Sequence, residues 1–443
     1  MVDRLVKTLV VDDSTTVRRM VSGWIEEGSG LELVGSASNG ADAIHQCRIY
    51  DPDVVVLDVE MPGMSGLEAL HHIVREDRSR VVIMFSALTR EGIGATIEAL
   101  DSGAADYITK PSSLGGGRAG LQETRRELLE KAVALGGRRQ RARELKRGDG
   151  VSYRAPSNIP RQRPRPVSPL PTTQGPTAVP ASSATPAVAK VPPKPLWVSQ
   201  TAPVSVRSAP VPVVDTVAPK VRRGVAGAST GVDAVVVGSS TGGPAALTEI
   251  IPKLPHDFPV PLLLVQHMPA LFAQMLAERL DAKSHLSVKL AEDGEIVRRS
   301  VVYIAPGGLH LQVARHTSGE IRCVLVDLPP ENSCKPAANL LFRSAVEAWG
   351  SRLLGVVLTG MGSDGTAGAE SIVRSGGRVI VQDEESSVVW GMPGSIVQAG
   401  LHDGIFPLKA LAGEVVDRVL HRASARSGQI GEVPRSVSPS VEV

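Results

Sequence analysis

Hydrophobic and polar positions divide the chain into three zones. From Val6 to about Lys146, short apolar runs alternate with segments in which apolar residues recur at helical spacing. A strand that is buried on both faces reads as a continuous apolar run, so this alternation predicts a parallel sheet covered by helices. The strands are predicted at 5–11, 31–37, 54–57, 81–85 and 107–108, with helices between them that include 41–49.

Five such units are typical of a flavodoxin-like, doubly wound α/β domain, whose active site lies at the carboxyl ends of the strands. The same alternation returns after Asp233 and predicts a second, larger α/β domain with a parallel sheet. Its strands are predicted at 234–237, 262–265, 354–358 and 379–381, and its helices include 271–280 and 340–349.

The zone between the two domains has a different composition. Of the 33 prolines in the chain, 16 lie between Gly148 and Arg223, where no helical or strand period is visible. This predicts a Pro-rich, flexible linker. Its mostly basic charge fits a solvated spacer, with contact to an acidic partner or a membrane surface as the alternative.

The expected limits are 5–122 for the first domain, 123–147 for its final helix and the start of the connection, 148–229 for the linker, 230–425 for the second domain and 426–443 for a disordered tail.

Composition narrows the class of protein. The chain has 443 residues, and its 48 Lys and Arg nearly balance 46 Asp and Glu, so no overall field attracts nucleic acid. No apolar run approaches the roughly 20 residues that span a bilayer, and no signal peptide is recognised, so a cytoplasmic protein is expected. The three cysteines, Cys47, Cys323 and Cys334, match no zinc or redox spacing and are expected to be reduced thiols.

Acidic side chains follow two strands of the first domain. Asp12 and Asp13 end the first predicted strand, and Asp58 ends the third. Because these strands are neighbours in a doubly wound sheet, the three carboxylates converge, and their repulsion favours a bound, hydrated Mg²⁺. Such a cation would also neutralise an incoming phosphoryl group. Ser86 and Lys110 end the fourth and fifth strands, where a hydroxyl and an ammonium group can bind a phosphate.

These residues lie in Asp12-Asp13, Leu-Asp-Val-Glu-Met-Pro-Gly at 57–63, Ser86-Ala87 and Lys110-Pro111. Together the segments resemble the receiver domain of two-component response regulators, over residues 5 to about 122. The resemblance implies that Asp58 accepts phosphate from a histidine kinase. It assigns Mg²⁺ binding to Asp12, Asp13, Asp58 and the backbone carbonyl of Glu60, phosphate sensing to Ser86 and Lys110, and the role of aromatic switch to Tyr107.

In the second domain, one serine lies in a turn suited to a nucleophile. Residues 235–244 run from a predicted strand into a helix and contain Gly-x-Ser-x-Gly, with Ser240 at the centre. The glycines permit a sharp turn that exposes the hydroxyl, and the helix N-terminus offers backbone N–H groups to an oxyanion. An anion-binding turn or a nucleotide site is the alternative, although the dinucleotide pattern does not fit.

A serine nucleophile needs a base, and the base needs an orienting acid. His267 ends the predicted strand 262–266 and is the favoured base, with His310 as the alternative. Asp364 lies in a Gly-rich segment after another buried strand and is the expected acid, with a helix N-cap as its alternative role. The order Ser, His, Asp differs from the hydrolase and protease orders, but a triad is defined by geometry.

The second domain resembles the catalytic domain of the chemotaxis methylesterase family, CheB, over about residues 232–420. The resemblance implies that Ser240 is the nucleophile, His267 the general base and Asp364 its orienting partner, with backbone oxyanion donors near Thr241 and Met361. The segments that carry it are Gly-Ser-Ser-Thr-Gly-Gly at 238–243, Gln-His-Met-Pro at 266–269, Tyr-Ile-Ala-Pro-Gly at 303–307, Leu-Thr-Gly-Met-Gly-Ser-Asp-Gly at 358–365 and Trp-Gly-Met-Pro at 390–393.

This second resemblance implies a serine carboxylesterase that demethylates glutamyl methyl esters on methyl-accepting chemoreceptors and deamidates certain glutamines. The ester chemistry needs no cofactor. In the resting state the receiver would cover the cleft, and phosphate on Asp58, which adds roughly 1.5 to 2 negative charges, would free it. The expected partners are a histidine kinase and the chemoreceptors, at receptor arrays but without membrane embedding, and no nucleic acid.

Two positions depart from the family pattern. Ser239 lies where alanine is more usual and adds a second hydroxyl beside Ser240, which remains the favoured nucleophile. Cys334 begins a segment that usually starts His-Arg-Pro-Ser. Two other functions are considered: a non-catalytic, receiver-linked receptor adaptor, against which the intact Ser240, His267 and Asp364 argue, and a DNA-binding response regulator, against which the lack of a helix-turn-helix pattern argues.

Overall fold

The computed structural model describes residues 4–111, 117–147 and 231–420. The predicted Pro-rich linker and the C-terminal tail lie outside the described residues. In the described part, no helix combines the length and the apolar character that crossing a bilayer requires.

The N-terminal domain is a five-stranded parallel sheet in the order β2-β1-β3-β4-β5, with helices connecting the strands. The central strand β3 is buried along its whole length, as its apolar run predicts. The elements are β1 (Val6–Val11), α1 (Thr15–Glu27), β2 (Leu31–Ala37), α2 (Gly40–Tyr50), β3 (Val54–Asp58), α3 (Gly66–Glu76), β4 (Val81–Ser86), α4 (Arg90–Asp101), β5 (Asp106–Thr109) and α5 (Gly117–Arg147).

Local sequence explains where the first helices begin. A polar side chain precedes each of α1 to α4 and accepts a hydrogen bond from a backbone N–H of the first turn, which satisfies a group that has no partner within the helix. In α3 the pairing is reciprocal, because the Glu68 carboxylate also accepts from the Ser65 backbone N–H. The capping residues are Ser14, Asn39, Ser65 and Thr89.

The C-terminal domain is built on a seven-stranded parallel sheet in the order β14-β13-β12-β6-β7-β9-β8, with an antiparallel hairpin of β10 and β11 beside it. Its elements are β6 (Ala234–Ser239), α6 (Gly243–Ile250), β7 (Leu262–Gln266), α7 (Ala270–Lys283), β8 (Ser287–Leu290), β9 (Val301–Ile304), β10 (His310–Arg315), β11 (Ile321–Val326), α8 (Ala338–Trp349), β12 (Leu353–Val357), α9 (Thr366–Arg374), β13 (Arg378–Gln382), α10 (Met392–Gln398), β14 (Gly404–Phe406) and α11 (Leu408–Val419).

The two parallel sheets confirm the predicted fold class, and the strands predicted from apolar runs are all present within one or two residues at each end. The sequence did not predict β8 to β11 or β14. β8, β10, β11 and β14 are short or interrupted by polar residues, so they lack the continuous apolar run that identified β6, β7, β12 and β13, whereas β9 has such a run and was missed.

The two domains pack together through α4, β5 and α5 on one side and α6, α7 and the segment 385–388 on the other. The ring of Tyr107 stacks on Phe272 of α7, with centroids 4.2 Å apart and planes 12° from parallel. Asp101, at the end of α4, lies 3.0 Å from Arg279 Nε and 2.6 Å from Lys283 Nζ on α7. Arg138 of α5 reaches the C-terminal domain and donates to the backbone carbonyls of Glu385 and Val388, at 2.7 and 3.1 Å.

Candidate functional site

Ser240 lies in the tight turn between β6 and α6. β6 ends at the buried Ser239, and Gly242 takes φ +76°, a left-handed conformation that suits glycine, before α6 begins at Gly243. A neighbouring loop approaches closely, since a Cβ placed on Gly360 would lie only 2.8 Å from Ser240 Cβ. The turn therefore exposes the Ser240 side chain at the carboxyl edge of the sheet.

The two adjacent serines have opposite environments. Ser239 is fully buried, and its hydroxyl donates to Gln266 Oε1 at 2.7 Å, whereas Ser240 is partly exposed. The amide of Gln266 also donates to the backbone carbonyls of Ser240 and His267, at 2.9 and 3.2 Å. Ser239 is thus a structural hydroxyl, and Gln266 ties the serine turn to the segment that carries His267.

His267 and Asp364 form a hydrogen-bonded pair at the same edge of the sheet. His267 follows β7, which is the neighbour of β6, and its Nε2 lies 2.8 Å from Asp364 Oδ2. Burial disfavours protonation of the imidazole, but the hydrogen bonds to Asp364 and Cys334 outweigh burial and raise the pKa of His267 to about 9. Because Nε2 is occupied by the carboxylate, Nδ1 is the nitrogen left to face a nucleophile.

Asp364 is not the N-cap residue of the helix that follows it, since Gly365 precedes α9, but its carboxylate holds the start of α8 from a distance. Besides His267, its carboxylate accepts from the backbone N–H groups of Ala338 and Asn339 at the start of α8, at 2.6 and 3.1 Å. Burial opposes ionisation of Asp364, but these hydrogen bonds and that to His267 hold its pKa below the usual range. The acid is therefore fixed in position and charged before any substrate binds.

Cys334 lies beside the imidazole, which its sequence spacing did not predict. Its Sγ is 3.5 Å from His267 Nδ1 and partly exposed. All three cysteines are free thiols, as expected: Cys47 and Cys323 are buried and Cys334 is partly exposed. Residues 67 positions apart in the chain meet here, a proximity that local spacing cannot reveal.

The described residues show no hydrogen bond between the Ser240 hydroxyl and His267. The backbone N–H of Ser240 donates to Thr359 O at 3.0 Å and is not free for a substrate. The backbone N–H groups of Thr241 and Met361 have no acceptor in the described part of the chain, and both lie beside Ser240 along the turn and the Gly360 loop. These are the two positions at which the resemblance places oxyanion donors.

His310, the alternative base, lies away from this pair. It is fully buried, with Nε2 3.1 Å from Pro329 O, and Nδ1 accepts from the Ala337 backbone N–H at 3.1 Å. Both ring nitrogens are engaged with the backbone, so His310 positions the segment that leads to Cys334 and α8.

Two further residues support the serine turn and were missed in the sequence. The Thr359 hydroxyl donates to Thr241 O at 2.9 Å and accepts from the Val389 backbone N–H, and Gln382 accepts from the Thr359 N–H at 2.9 Å. Both side chains are buried. The available signal was a polar residue at the end of each of two otherwise apolar strands.

The N-terminal domain brings its acidic residues together as predicted. One carboxylate oxygen from each of Asp12, Asp13 and Asp58 lies within 4.8 Å of the others. Lys110 Nζ lies 2.8 Å from both Asp12 Oδ2 and Asp58 Oδ2. Burial raises the pKa of Asp58 to about 6, even though Lys110 favours the charged form.

This cluster fits a hard divalent cation. Asp12 Oδ2 is buried and, although close to Lys110, accepts no hydrogen bond of normal geometry among the described residues. Three oxygen ligands on strand ends, one of them exposed on Asp13, suit a small cation that keeps part of its water shell.

Ser86, Tyr107 and Glu60, which were expected to sense the phosphate or bind the metal, already make contacts of their own. Ser86 is buried, and its hydroxyl donates to the Ala87 and Gly92 carbonyls, both at 3.1 Å, at the start of α4. Tyr107 is buried against Phe272. Glu60 follows β3 and accepts from the Thr89 hydroxyl through its side chain, at 3.3 Å. A phosphate on Asp58 would therefore have to compete with existing contacts of Ser86.

Both domains of this chain are similar to known protein families. The CheB methylesterase family model matches residues 235–415, and the response regulator receiver domain model matches residues 8–119. A protein from Maricaulis maris (strain MCS10) named protein-glutamate methylesterase/protein-glutamine glutaminase is 40% identical over 94% of this chain and 96% of its own. A protein from Trichodesmium erythraeum (strain IMS101) with the same name is 35% identical over 93% of this chain and 99% of its own.

Among solved structures, the Thermotoga maritima CheB methylesterase catalytic domain is 44% identical, covers 42% of this chain and 98% of that chain, and has a TM-score of 0.41. The sequence relatives extend over nearly the whole length of both proteins. The chain therefore belongs to the CheB family of protein-glutamate methylesterase/protein-glutamine glutaminases, with an N-terminal receiver domain.

Proposed function

We propose that this protein is a phosphorylation-activated methylesterase and glutaminase that acts on glutamyl methyl esters and glutamines of chemoreceptors. The single observation that carries the proposal is the pairing of His267 Nε2 with the buried Asp364 carboxylate, at 2.8 Å, beside the turn that exposes Ser240. That geometry supplies a base oriented by a carboxylate on the strand next to the one that leads to Ser240, as acyl transfer requires, with Nδ1 at present 3.5 Å from Cys334 Sγ.

In the proposed reaction, the Ser240 oxygen bonds to the side-chain carbonyl carbon while His267 Nδ1 takes the hydroxyl proton. The tetrahedral intermediate expels methanol from an ester, or ammonia from an amide, with the proton returned by the imidazolium. Water then attacks the acyl-enzyme with His267 again as base, which releases glutamate and restores Ser240. Asp364 holds the Nε2 proton in place throughout.

The backbone N–H groups of Thr241 and Met361 are the proposed oxyanion donors. Neither is used inside the described structure, and Gly360 allows the Met361 segment to approach Ser240 closely. Preorganised donors of this kind stabilise negative charge as it develops, since they need no reorganisation during the reaction.

The receiver domain is the proposed regulator, and Asp58 its phosphate acceptor. Asp12, Asp13, Asp58 and the Glu60 carbonyl would hold Mg²⁺, which when bound supplies the positive charge that offsets the phosphoryl group.

Lys110 lies close enough to Asp58 to pair with the phosphate, and Ser86 would exchange its contact with Gly92 for a phosphate oxygen. Tyr107 would connect that change to Phe272.

The proposed gate is the contact between α4–β5 of the receiver and α7. Helix α7 begins at Ala270, three residues after His267, so the docked receiver lies next to the proposed catalytic edge. A change at Ser86 or Tyr107 that weakens this contact would open the edge to a receptor helix.

Partners and organisation follow from the same proposal. A histidine kinase supplies the phosphate and methyl-accepting chemoreceptors are the substrates, which places the protein in the cytoplasm at receptor arrays. The proposed domain limits are 5–122 for the receiver, 123–147 for its final helix and the start of the connection, 148–229 for the Pro-rich linker, 230–425 for the catalytic domain and 426–443 for a tail.

The deciding experiment measures methanol release from a methylated chemoreceptor cytoplasmic domain. Full-length protein is compared with Ser240→Ala, each with and without a small phosphodonor and Mg²⁺. The wild type should release methanol faster with phosphodonor, and Ser240→Ala should lower the rate by a factor on the order of 10⁴ or more. Methanol release by Ser240→Ala at the wild-type rate would refute the nucleophile, and no release by the wild type would refute the activity.

A further inference from the structure

Cys334 has no role in the proposed esterase mechanism, yet its thiol lies beside the imidazole of His267, and both groups are common metal ligands. One ligand atom from each of His267, Cys334 and Asp364 lies within 4.8 Å of the other two. The three residues come from three separate segments, and the fold alone brings them together. A thiol and an imidazole together are a ligand set that favours zinc and related soft divalent ions over Mg²⁺.

The separation of the two ligand atoms suits a tetrahedral ion. Cys334 Sγ and His267 Nδ1 are 3.5 Å apart. Zn–S and Zn–N bonds of about 2.3 and 2.0 Å at a tetrahedral angle place sulfur and nitrogen about 3.5 Å apart. The two ligands therefore already span one edge of a zinc tetrahedron.

The hydrogen bond to Asp364 prepares His267 for such an ion. When the ring is neutral and Nε2 donates to Asp364, the lone pair lies on Nδ1, the atom that faces Cys334, and a binding ion displaces the proton that Nδ1 holds at lower pH. A metal-bound histidine in proteins usually donates its other ring N–H to a carboxylate in this way. Asp364 is itself held by the N–H groups of Ala338 and Asn339, so the orientation of the ring is fixed.

The turn that carries Cys334 is also held in place. Glu331 and Cys334 exchange two backbone hydrogen bonds across Asn332 and Ser333, whose φ values are 50° and 62°. Arg343 of α8 binds the Glu331 carboxylate, at 2.8 Å for one of the contacts. The thiol is thus presented to His267 by a short hairpin turn anchored on α8.

We propose that His267 Nδ1 and Cys334 Sγ form an inhibitory site for zinc or a similar soft divalent cation, with Asp364 as the orienting partner of His267. Water completes the coordination shell on the open side. The ion occupies the lone pair that the esterase needs for the Ser240 proton, so bound metal and catalysis exclude each other. The inhibition rests on the proposed function, whereas the binding does not.

Cobalt binding tests the site without any measurement of activity. Full-length protein saturated with Mg²⁺, which fills the receiver site, is titrated with Co²⁺ and followed by the thiolate-to-cobalt absorption band. The wild type and Cys323→Ala should show the band, and zinc should remove it. Cys334→Ala should lack the band and bind at least about 10-fold more weakly. A missing band in the wild type, or a band that persists in Cys334→Ala, overturns the proposal.

Two further measurements do not depend on the cobalt band. Zinc should slow alkylation of Cys334 in the wild type, read from the modified peptide, so a folding defect in the variant cannot imitate the result. Zinc should also inhibit methanol release, with a half-inhibitory concentration at least about 10-fold higher in Cys334→Ala, relative to its own uninhibited rate. Unprotected Cys334, or equal zinc sensitivity in both proteins, contradicts the site. If the wild type has no esterase activity, the cobalt and alkylation measurements still show whether His267 and Cys334 bind the metal.

Discussion

At the residue scale, the buried Gln266 distinguishes the adjacent hydroxyls of Ser239 and Ser240 at the end of β6, because it binds only that of Ser239. Gln266 Oε1 accepts a hydrogen bond from the Ser239 hydroxyl at 2.7 Å, and the Gln266 Nε2 group donates one to the Ser240 carbonyl at 2.9 Å. The Ser239 hydroxyl is enclosed and already paired, so reaching a substrate would require breaking a buried hydrogen bond. Ser240 has no such bond among the described residues and lies at the edge of the sheet.

We therefore expect Ser239→Ala and Ser240→Ala to have different effects. Ser239→Ala leaves Gln266 Oε1 without its donor, which should lower the free energy of unfolding by about 1–3 kcal/mol. Methanol release should stay within about 10-fold of wild type, whereas Ser240→Ala loses it. Thermal unfolding and the rate assay on the same two variants separate stability from chemistry. The opposite pattern of activity would assign the attack to Ser239.

The imidazole of His267 also carries a prediction at this scale, because a general base must be neutral to accept a proton. Burial opposes its charge, but Asp364 and Cys334 outweigh burial and raise the pKa of His267 to about 9. As pH falls below that value, the neutral fraction falls about 10-fold per pH unit. Activity should therefore increase with pH through the neutral range and level off only near pH 9.

Cys334→Ala tests the cause of that raised pKa. The variant removes one of the two contacts that favour the protonated ring, so the rise in kcat/KM should move to lower pH. The profile is measured in buffer depleted of metals other than Mg²⁺, with Ser240→Ala at each pH as the control for spontaneous ester hydrolysis. An identical profile for wild type and Cys334→Ala would show that the thiol does not influence the base.

At the element scale, the carboxyl ends of the parallel strands could be located from the sequence alone. Apolar runs located β1, β3, β6 and β7, and the polar residue at or just after each end is Asp12, Asp58, Ser240 or His267. Within each parallel sheet the carboxyl ends share one edge, so finding the strands was enough to place Asp12 near Asp58 in one sheet and Ser240 near His267 in the other.

Contacts between segments distant in sequence were not predictable in that way. Asp364 binds the start of α8, Thr359 binds the serine turn, and Cys334 meets His267 through a turn between β11 and α8. Each depends on loop conformation, which apolar periodicity does not encode. The strands β10 and β11, which carry the chain toward Cys334, were also not predicted, because β10 ends in two exposed residues and β11 is mostly half-buried.

At the scale of the whole molecule, the docked receiver combines an aromatic contact with charged contacts on α7, of which the group around Asp101 is the tightest. Tyr107 stacks on Phe272, and Asp101 pairs with Arg279 and Lys283. The pKa of Asp101 is lowered: burial opposes its charge, but the two cations of α7 outweigh burial. The charged contact is the better one to alter, because it is partly exposed and its removal leaves the core of each domain intact.

Reversing the charge at this contact should loosen the receiver without phosphate. Asp101→Lys places three cations together, and a loss of about 1.4 kcal/mol in docking corresponds to a tenfold change in the docked population. Methanol release without phosphodonor should rise about 2–10-fold, and the further gain from phosphodonor should shrink. Combining Asp101→Lys with Arg279→Glu restores an opposite pair and should bring the unphosphorylated rate back toward wild type. If the single variant is as slow as wild type, or if the double variant is as fast as the single one, the α4–α7 contact does not hold the gate and regulation must act through another part of the molecule.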